Sequence, residues 1–356
     1  MVPCVRLLLA AALGGLVAVA AQAQTPPEIS GRRADGIVDR KLVTSAIDIS
    51  GARSQPLPQL AIPGGADAAM TLAQKAPSTP PSTPPTQPPS TPTAPPKPTT
   101  NLRDTGNPSV APLKWVGLVM NQINDKQFDY CTGQFIAPRV VLTAGHCVKD
   151  IGKGTWLDVN NMSFILQFQN GEGSHVYKAV CAAALDSFAH PADYATLTKD
   201  QQQAADLTAH QSDYAMILVD GDSLTGTIAW QGDWKGKWLG ATRIGYPGDI
   251  LNGEIIQQAH GIVFFADAVP IFAANGAITS YPNLVVHWQR NTRLTQGSSG
   301  GAWIANFDPG EGAGSNIAIS VSSFVLDDLA GAIFGPYLTS AKMNALLQFA
   351  QNGCHA

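Results

Sequence analysis

The sequence predicts an all-β fold, a sandwich or a barrel, for the part of the chain that begins near residue 107. Charged residues make up only 13% of the chain, which disfavours long charged helices and coiled coils. Glycine and proline are frequent, at 34 and 26 residues, so the chain reverses direction often. Short apolar runs, none long enough for a typical helix, alternate with turn residues. These runs are 115–120, 133–142, 163–168, 214–219, 255–265, 284–288, 301–305 and 317–325.

The C-terminus is the one part of this region that predicts a helix. Either Thr339 or Ser340 can cap its first turn, and Gly353 ends it. Apolar residues at helical spacing predict its buried face, which consists of Met343, Leu346, Leu347 and Ala350.

The first 23 residues have the pattern of a secretory signal. Arg6 precedes an apolar run over residues 7–21, and Ala21, Gln22 and Ala23 have the small-x-small form that signal peptidase cuts. The apolar run is shorter than the ~20 residues that span a bilayer, and no later run is long enough. We therefore expect a secreted or periplasmic protein that is not inserted in a membrane after cleavage.

Four cysteines follow the signal segment, namely Cys131, Cys147, Cys181 and Cys354. An even number in an exported chain favours two disulfides, for which three pairings are possible.

A proline-rich linker over residues 77–106 precedes the predicted β region. Half of residues 77–98 are proline, which excludes a helix or an inner strand because proline lacks the amide donor. The segment is expected to be a disordered, semi-rigid spacer, either a passive tether or a site for a partner that reads proline. Residues 24–76 are then a pro-region or a small separate segment.

A first candidate for chemistry is His146, in the run Thr-Ala-Gly-His-Cys at residues 143–147. An apolar strand leads to a tight turn that presents the imidazole. A histidine beside Cys147 also has a metal-ligand interpretation, but the sequence offers no second ligand cluster at suitable spacing, so we expect no metal.

Ser299 is a candidate nucleophile, in the run Gln-Gly-Ser-Ser-Gly-Gly at residues 296–301. A serine hydroxyl needs a base within hydrogen-bond reach and a backbone that aims amides at a developing oxyanion. Glycines on both sides permit such a backbone, so the amides of Gly297 and Ser299 would form the oxyanion hole. Taken alone, the run is also typical of an ordinary glycine-serine loop.

Asp213 is the candidate to orient the histidine, because it stands at the mouth of the apolar run 214–219. A buried carboxylate there would hold one imidazole nitrogen as a donor. Asp193 is the rival, but no continuous apolar strand follows it. His190, His210 and His287 lack comparable context and are expected to be surface or structural residues.

These motifs resemble those of the chymotrypsin-like (trypsin-fold) serine peptidases. Residues 143–147 match the family's histidine motif, residues 297–301 match its Gly-Asp-Ser-Gly-Gly motif except at Ser298, and residues 213–217 are similar to its aspartate motif. The resemblance covers residues 107–356. It implies two six-stranded antiparallel β-barrels, over about 107–222 and 223–338, and a C-terminal helix. It also implies a His146, Asp213 and Ser299 triad that needs no cofactor.

The resemblance further implies a disulfide between Cys131 and Cys147, which leaves Cys181 paired with Cys354 near the terminal helix. Ser298 replaces the family's usual aspartate, so it cannot form the ion pair that activates animal trypsins.

The specificity pocket is less well defined by the sequence. Residues 245–249 resemble a stretch of bacterial glutamyl endopeptidases, but that branch's glutamate-reading positions fall at Leu294 and Val321. Arg293 falls at the pocket floor of trypsins, where a cation would favour an acidic substrate residue, although the side chain can equally point to solvent.

The sequence therefore predicts an exported serine endopeptidase that acts on proteins or peptides. The alternative is a catalytically inactive trypsin fold that binds a partner at the cell surface. The 22 basic and 26 acidic residues give a net charge of −4, which does not suit nucleic-acid binding.

Overall fold

The computed structural model of the chain describes residues 27–34, 53–54, 59–60, 106–124, 127–234, 239–265, 271–272, 278–279, 283–288, 296–312, 314–326 and 332–355. The predicted signal segment and the prolines of residues 77–98 lie outside these residues. The strands, in chain order, are β1 (Ile29–Arg33), β2 (Arg53–Ser54), β3 (Gln59–Leu60), β4 (Val116–Asn124), β5 (Gln127–Ala137), β6 (Val140–Thr143), β7 (Met162–Leu166), β8 (His175–Leu185), β9 (Ala215–Val219), β10 (Ala229–Trp230), β11 (Leu239–Gly245), β12 (Gln257–Phe265), β13 (Ile271–Phe272), β14 (Ile278–Thr279), β15 (Leu284–Trp288), β16 (Ala302–Ala305), β17 (Ile317–Val321), β18 (Val325–Leu326) and β19 (Ala332–Pro336). The α-helices of the described ranges are α1 (Lys199–His210) and α2 (Ser340–Gln351).

Six strands of the first sheet close into a barrel. They pair in the order β8, β7, β4, β5, β6 and β9, and β8 also pairs with β9. Every ladder in this ring is antiparallel. Phe135 fills the interior, with its ring 5.0 Å from that of Phe164 and 5.1 Å from that of Tyr177, both in edge-to-face contact. Burial of these aromatic side chains is a main source of the barrel's stability.

The N-terminal residues Ile29–Arg33 add a strand to this sheet. β1 pairs antiparallel with β8, from Ile29 opposite Leu185 to Arg33 opposite Cys181. A Cβ atom on Gly31 would lie 2.8 Å from both Phe349 Cε1 and Cys354 Cβ, so β1 packs closely against the C-terminal helix. This part of the predicted pro-region is therefore built into the sheet.

The second sheet follows in the chain and has seven strands. They pair in the order β10, β17, β16, β11, β12, β15 and β19, and only β10 is parallel to its neighbour. Among the described strands no ladder closes this sheet, but its two ends meet where the Ser320 hydroxyl donates to the Pro336 carbonyl at 2.8 Å. The predicted all-β class is confirmed, with a closed first barrel and a second sheet.

The predicted C-terminal helix is also confirmed. Thr339 is its N-cap and accepts a hydrogen bond from the Lys342 amide. Met343, Leu346 and Ala350 are buried, as the spacing predicts. The disulfide between Cys181 and Cys354 joins the end of the helix to β8. No helix in the described parts of the chain is long and apolar enough to cross a membrane.

Helix α1 corrects the expectation that the β region contains no helix before its C-terminus. Its sequence is rich in glutamine and alanine, and only Leu207, Ala209 and His210 are buried, so it has no apolar periodicity. The available signal was the capping box, in which Thr198 and Gln201 bond each other's backbone amides.

The second sheet contains a buried cation, Arg243 on β11. Its neighbours on the flanking strands are Ala259 and Trp303. The side chain is 0% exposed, and none of its three nitrogens has a hydrogen-bond partner in the described part of the molecule. Burial lowers the pKa of the guanidinium to about 9. A buried charge without a partner destabilises the folded state.

Replacing Arg243 by methionine should therefore stabilise the protein, because the variant keeps the volume and removes the charge. We expect Arg243→Met to raise the free energy of unfolding by about 1–4 kcal/mol in chemical denaturation. The control is Arg139→Met, which removes an exposed Arg that donates to the Val219 carbonyl at 3.0 Å and should lower stability slightly. A larger loss in Arg243→Met than in Arg139→Met would mean that the guanidinium has a stabilising partner.

Candidate active site

His146 lies in a 3₁₀ turn, Gly145–Cys147, that directly follows β6. The preceding residue, Ala144, is extended and buried, so the turn begins where the strand leaves the barrel. The disulfide between Cys131 and Cys147 fastens the turn to β5. Position and direction of the imidazole are therefore set by two strands and a covalent bond.

Asp213 lies between the end of α1 and the start of β9. The ladder between β6 and β9 places Thr143 opposite Ala215. Two residues after Thr143 and two residues before Ala215, the chain places Gly145 next to Asp213. A Cβ atom on Gly145 would lie 3.0 Å from Asp213 Oδ1. The antiparallel register of the first barrel thus brings the predicted aspartate beside the predicted histidine.

The Asp213 carboxylate accepts three hydrogen bonds and is 0% exposed. Oδ1 accepts from the His146 amide at 2.8 Å, and Oδ2 accepts from His146 Nδ1 at 2.8 Å and from the Ser323 hydroxyl. Because an ionised carboxylate can only accept, Nδ1 carries the proton, and Nε2 of the neutral ring is left with a lone pair.

The charge of Asp213 is stabilised in spite of its burial. Burial by itself raises the pKa of the carboxyl, but His146 and the Ser323 hydroxyl favour the ionised form and lower the pKa to about 2. Asp213 is therefore a carboxylate at neutral pH. Its partners come from the turn that follows β6 and from the segment that follows β17.

The loop that carries Ser299 has a backbone that requires glycine at two positions. Gly297 and Gly300 have φ angles of +88° and +80°, in the left-handed region. A Cβ atom on Gly300 would lie 2.2 Å from Thr143 Oγ1, so the loop lies against the end of β6 that leads to His146. A side chain at this position would push the loop away from the histidine.

Hydrogen bonds hold the loop between the two sheets. The Ser299 carbonyl accepts from the Thr132 amide of β5 at 2.8 Å, and the Gly300 amide donates to the Ser322 carbonyl at 2.8 Å. Ser322 precedes Ser323, which bonds Asp213. A short path of contacts therefore connects the serine loop, Asp213 and His146.

Ser299 Oγ and His146 Nε2 are both buried, and neither makes a hydrogen bond to any residue that the structure describes. Hydrogen bonds between a nucleophile and its base are often long before substrate binds, so this geometry does not exclude a reaction between them.

The amides of Gly297 and Ser299 are the predicted oxyanion-hole donors. Within the described ranges, neither the Gly297 nor the Ser299 amide donates a hydrogen bond.

Residues 106–230 match the family model described as Trypsin. This segment is similar to the trypsin family. The match contains His146 and Asp213 and ends before the Ser299 loop. The resemblance to chymotrypsin-like serine peptidases is thereby confirmed, and the two-sheet architecture is the trypsin-like fold. No curated protein matches the sequence.

Solved structures with similar folds include three peptidases. Protease Anisep from Arthrobacter nicotinovorans is 19% identical, with 67% of this chain and 96% of that chain covered and a TM-score of 0.47. Serine protease AL20 from an extremophilic microorganism is 18% identical, with coverage of 67% and 97% and a TM-score of 0.48. A Glu endopeptidase is 18% identical, with coverage of 70% and 95% and a TM-score of 0.43. Similarity at this level does not carry an activity from one protein to another.

Of the residues predicted for the trypsin-family specificity pocket, only Val321 lies among the described residues. It is fully buried, pairs with Ala302 and directly precedes Ser322. Arg293 and Leu294 lie outside the described ranges. Ser298, the replacement of the family's aspartate, is buried, and its hydroxyl has no partner in the described part of the chain.

The ligand atoms of Cys131, His146 and Cys147 lie within 4.8 Å of one another, which is close enough for a metal site. However, the two sulfur atoms are bonded to each other in a disulfide. Cysteine binds zinc as a thiolate, and a disulfide has no thiolate, so Cys131 and Cys147 cannot act as zinc ligands in this form.

Two further residues lie beside Asp213, and sequence reasoning missed one of them. Ser323 gave no local signal, because it lies 110 residues away from Asp213 in the chain. His210 is buried, its Nδ1 donates to the Asp206 carbonyl at 2.7 Å, and burial lowers its pKa. It is a neutral structural histidine, consistent with the expectation, but it packs next to Asp213 at the end of α1.

The low pKa of Asp213 predicts a pH-dependent contribution to stability. The gap between the ordinary value of 3.8 and about 2 corresponds to roughly 2 kcal/mol. Because the folded pKa is depressed, this contribution is present above pH 3.8 and is lost as the pH falls through about 2.

We therefore expect the stability difference between wild type and Asp213→Asn to shrink by roughly 2 kcal/mol between about pH 5 and pH 2, measured by urea unfolding. Parallel loss of stability in both proteins over this range would contradict a depressed pKa at Asp213.

Proposed function

We propose that this protein is an exported serine endopeptidase in which Ser299, His146 and Asp213 cleave peptide bonds through an acyl-enzyme. The observation that carries the proposal is the hydrogen bond from His146 Nδ1 to the buried, ionised Asp213, beside a glycine-bracketed serine. The match of residues 106–230 to the trypsin family model supports hydrolysis of proteins or peptides.

In the first half of the reaction, Ser299 Oγ attacks the carbonyl carbon of the scissile bond while its proton moves to His146 Nε2. The amides of Gly297 and Ser299 stabilise the negative charge on the carbonyl oxygen. Collapse of this intermediate breaks the C–N bond, and His146 gives its proton to the leaving amine. The acyl group stays on Ser299.

In the second half, water takes the place of the amine. His146 Nε2 accepts a proton from the water as its oxygen attacks the acyl carbon, and the same two amides stabilise the second intermediate. The bond to Ser299 Oγ then breaks and Oγ recovers its proton from His146. Asp213 remains ionised throughout and stabilises the imidazolium that forms in each half.

Export is supported by the two disulfides and the signal-like N-terminus. Disulfides persist in oxidising compartments, where secreted and periplasmic proteins reside.

Ser299→Ala should abolish both labelling by a serine-directed fluorophosphonate and hydrolysis of casein, because the nucleophile is lost. Mass spectrometry of the labelled wild type should place the phosphonate on Ser299 rather than on Ser298. The control is Ser315→Ala, an exposed-loop serine whose hydroxyl contacts the Gly312 carbonyl, and it should label like wild type. A folded protein that neither labels nor cleaves, both as wild type and with proline substituted at Ser54 and Gln59, would favour the binding-protein alternative.

Asp213→Asn should lower kcat/KM about 10⁴-fold, because the asparagine no longer fixes the Nδ1–H tautomer or stabilises the imidazolium. The matched control is Asp193→Asn, since Asp193 is exposed and its side chain does not cap the turn that follows it. Steady-state kinetics on a chromogenic peptide compare the two. Equal effects of both substitutions would contradict the assignment of Asp213.

A further inference from the structure

Two strand edges near Ser299 are each paired with a short strand from the N-terminal region. β2 pairs parallel with β5, with Arg53 opposite Asp129 and Ser54 opposite Tyr130. β3 pairs parallel with β18, with Gln59 opposite Val325 and Leu60 opposite Leu326. Within the described strands, β18 has no ladder partner other than β3.

The β5 edge lies beside the predicted oxyanion hole. A Cβ atom on Gly297 would lie 2.6 Å from Tyr130 Cε2, so the ring of the residue opposite Ser54 borders the loop. Thr132, two residues further along β5, donates its amide to the Ser299 carbonyl at 2.8 Å. β2 is therefore docked on one side of the serine loop.

The β18 edge continues from a second segment that contacts the same loop. The Ser322 carbonyl accepts a hydrogen bond from the Gly300 amide, and the Ser323 hydroxyl donates one to Asp213. Val325, which pairs with Gln59, follows Ser323 by two residues. β3 is therefore docked on the strand that continues from the residues holding the serine loop and the carboxylate.

β2 and β3 are close to each other in the sequence. Ser54 and Gln59 are five residues apart, so their Cα atoms are separated by at most about 18 Å. Two strands that are close in the chain thus pair with the two segments that lead to the hydrogen bonds of the Ser299 loop.

We infer that β2 and β3 act as an intramolecular inhibitor by occupying the backbone edges on which a peptide substrate would lie. This inference rests on the proposed endopeptidase function. An exposed edge offers one set of N–H and C=O groups, so a strand that pairs with it excludes any other extended peptide from the same groups. A substrate chain passing Ser299 must compete for these two edges.

The pairing is suited to a removable occupant. β2 and β3 are two-residue strands, in contrast to β1, which forms a five-residue ladder and packs against α2. Because β1 anchors the N-terminal region to the first sheet, β2 and β3 compete at the high effective concentration of a tethered ligand. Weak pairing is then sufficient for inhibition, and its loss is sufficient for activation.

The test uses the full chain with the double substitution Ser54→Pro/Gln59→Pro, because proline cannot donate to a ladder. The matched control is Ser82→Pro/Gln87→Pro, which changes the same two residue types at the same spacing within the proline-rich segment. Each protein is compared with wild type in fluorophosphonate labelling rate and in kcat/KM on a chromogenic peptide.

Hydrogen–deuterium exchange provides a readout that does not depend on catalysis. In the Ser299→Ala background, the Ser54→Pro/Gln59→Pro substitution should speed exchange in peptides covering residues 127–130 and 322–326. Exchange over β1 should stay at the wild-type rate, which also shows that the variant is folded.

We expect labelling and kcat/KM to rise at least about tenfold in the Ser54→Pro/Gln59→Pro variant and to stay unchanged in the control. Faster exchange with no gain in activity over an active wild type would overturn the inhibitory role. Cleavage of wild type between residues 54 and 59, found by mass spectrometry, would also overturn it, because the segment would then be a substrate. If no variant labels at all, the proposed function itself fails and the inference falls with it, whatever the exchange rates.

Discussion

The buried carboxylate of Asp213 is the contact on which the candidate site depends. Its Oδ1 accepts a hydrogen bond from the His146 backbone amide, and its Oδ2 accepts hydrogen bonds from the His146 ring and the Ser323 hydroxyl. Burying a carboxylate is costly unless its lone pairs are satisfied, and here donors from the turn after β6 and from the segment after β17 satisfy them. The same charge thus orients the imidazole, fixes its tautomer and joins the first barrel to the segment that borders the serine loop.

Some of the buried side-chain atoms that make no hydrogen bond belong to the candidate site. Among the described residues, His146 Nε2 and Ser299 Oγ are buried and unpartnered, and so is Ser298 Oγ. Folded proteins usually satisfy buried polar atoms, and exceptions that cluster in one place are typical of sites where a substrate supplies the missing partners. Arg243 is one of several exceptions outside the site, and its stability cost has no compensating contact in the described part of the protein.

Local motifs were enough to predict much of the site from the sequence. The turn around His146 and the glycine-bracketed serine depend on neighbours a few residues away, so their residue types reveal them. Ser323 and the docked strands β2 and β3 could not be found in this way, because their partners are distant in the chain. Strand pairing at an edge uses backbone groups that every residue carries, and two-residue strands leave no alternating pattern. Helix α1 was not predicted for a related reason, because its few buried residues do not recur at helical spacing.

The central claim is that Asp213 holds His146 Nδ1 as a protonated donor, which leaves Nε2 free to accept the Ser299 proton. The most direct measurement is the ¹⁵N-edited proton NMR spectrum of protein labelled at histidine. The account predicts a low-field Nδ1–H resonance that His146→Ala removes and that shifts strongly upfield or disappears in Asp213→Asn. A resonance that is absent from wild type, or that Asp213→Asn leaves unchanged, would contradict the account.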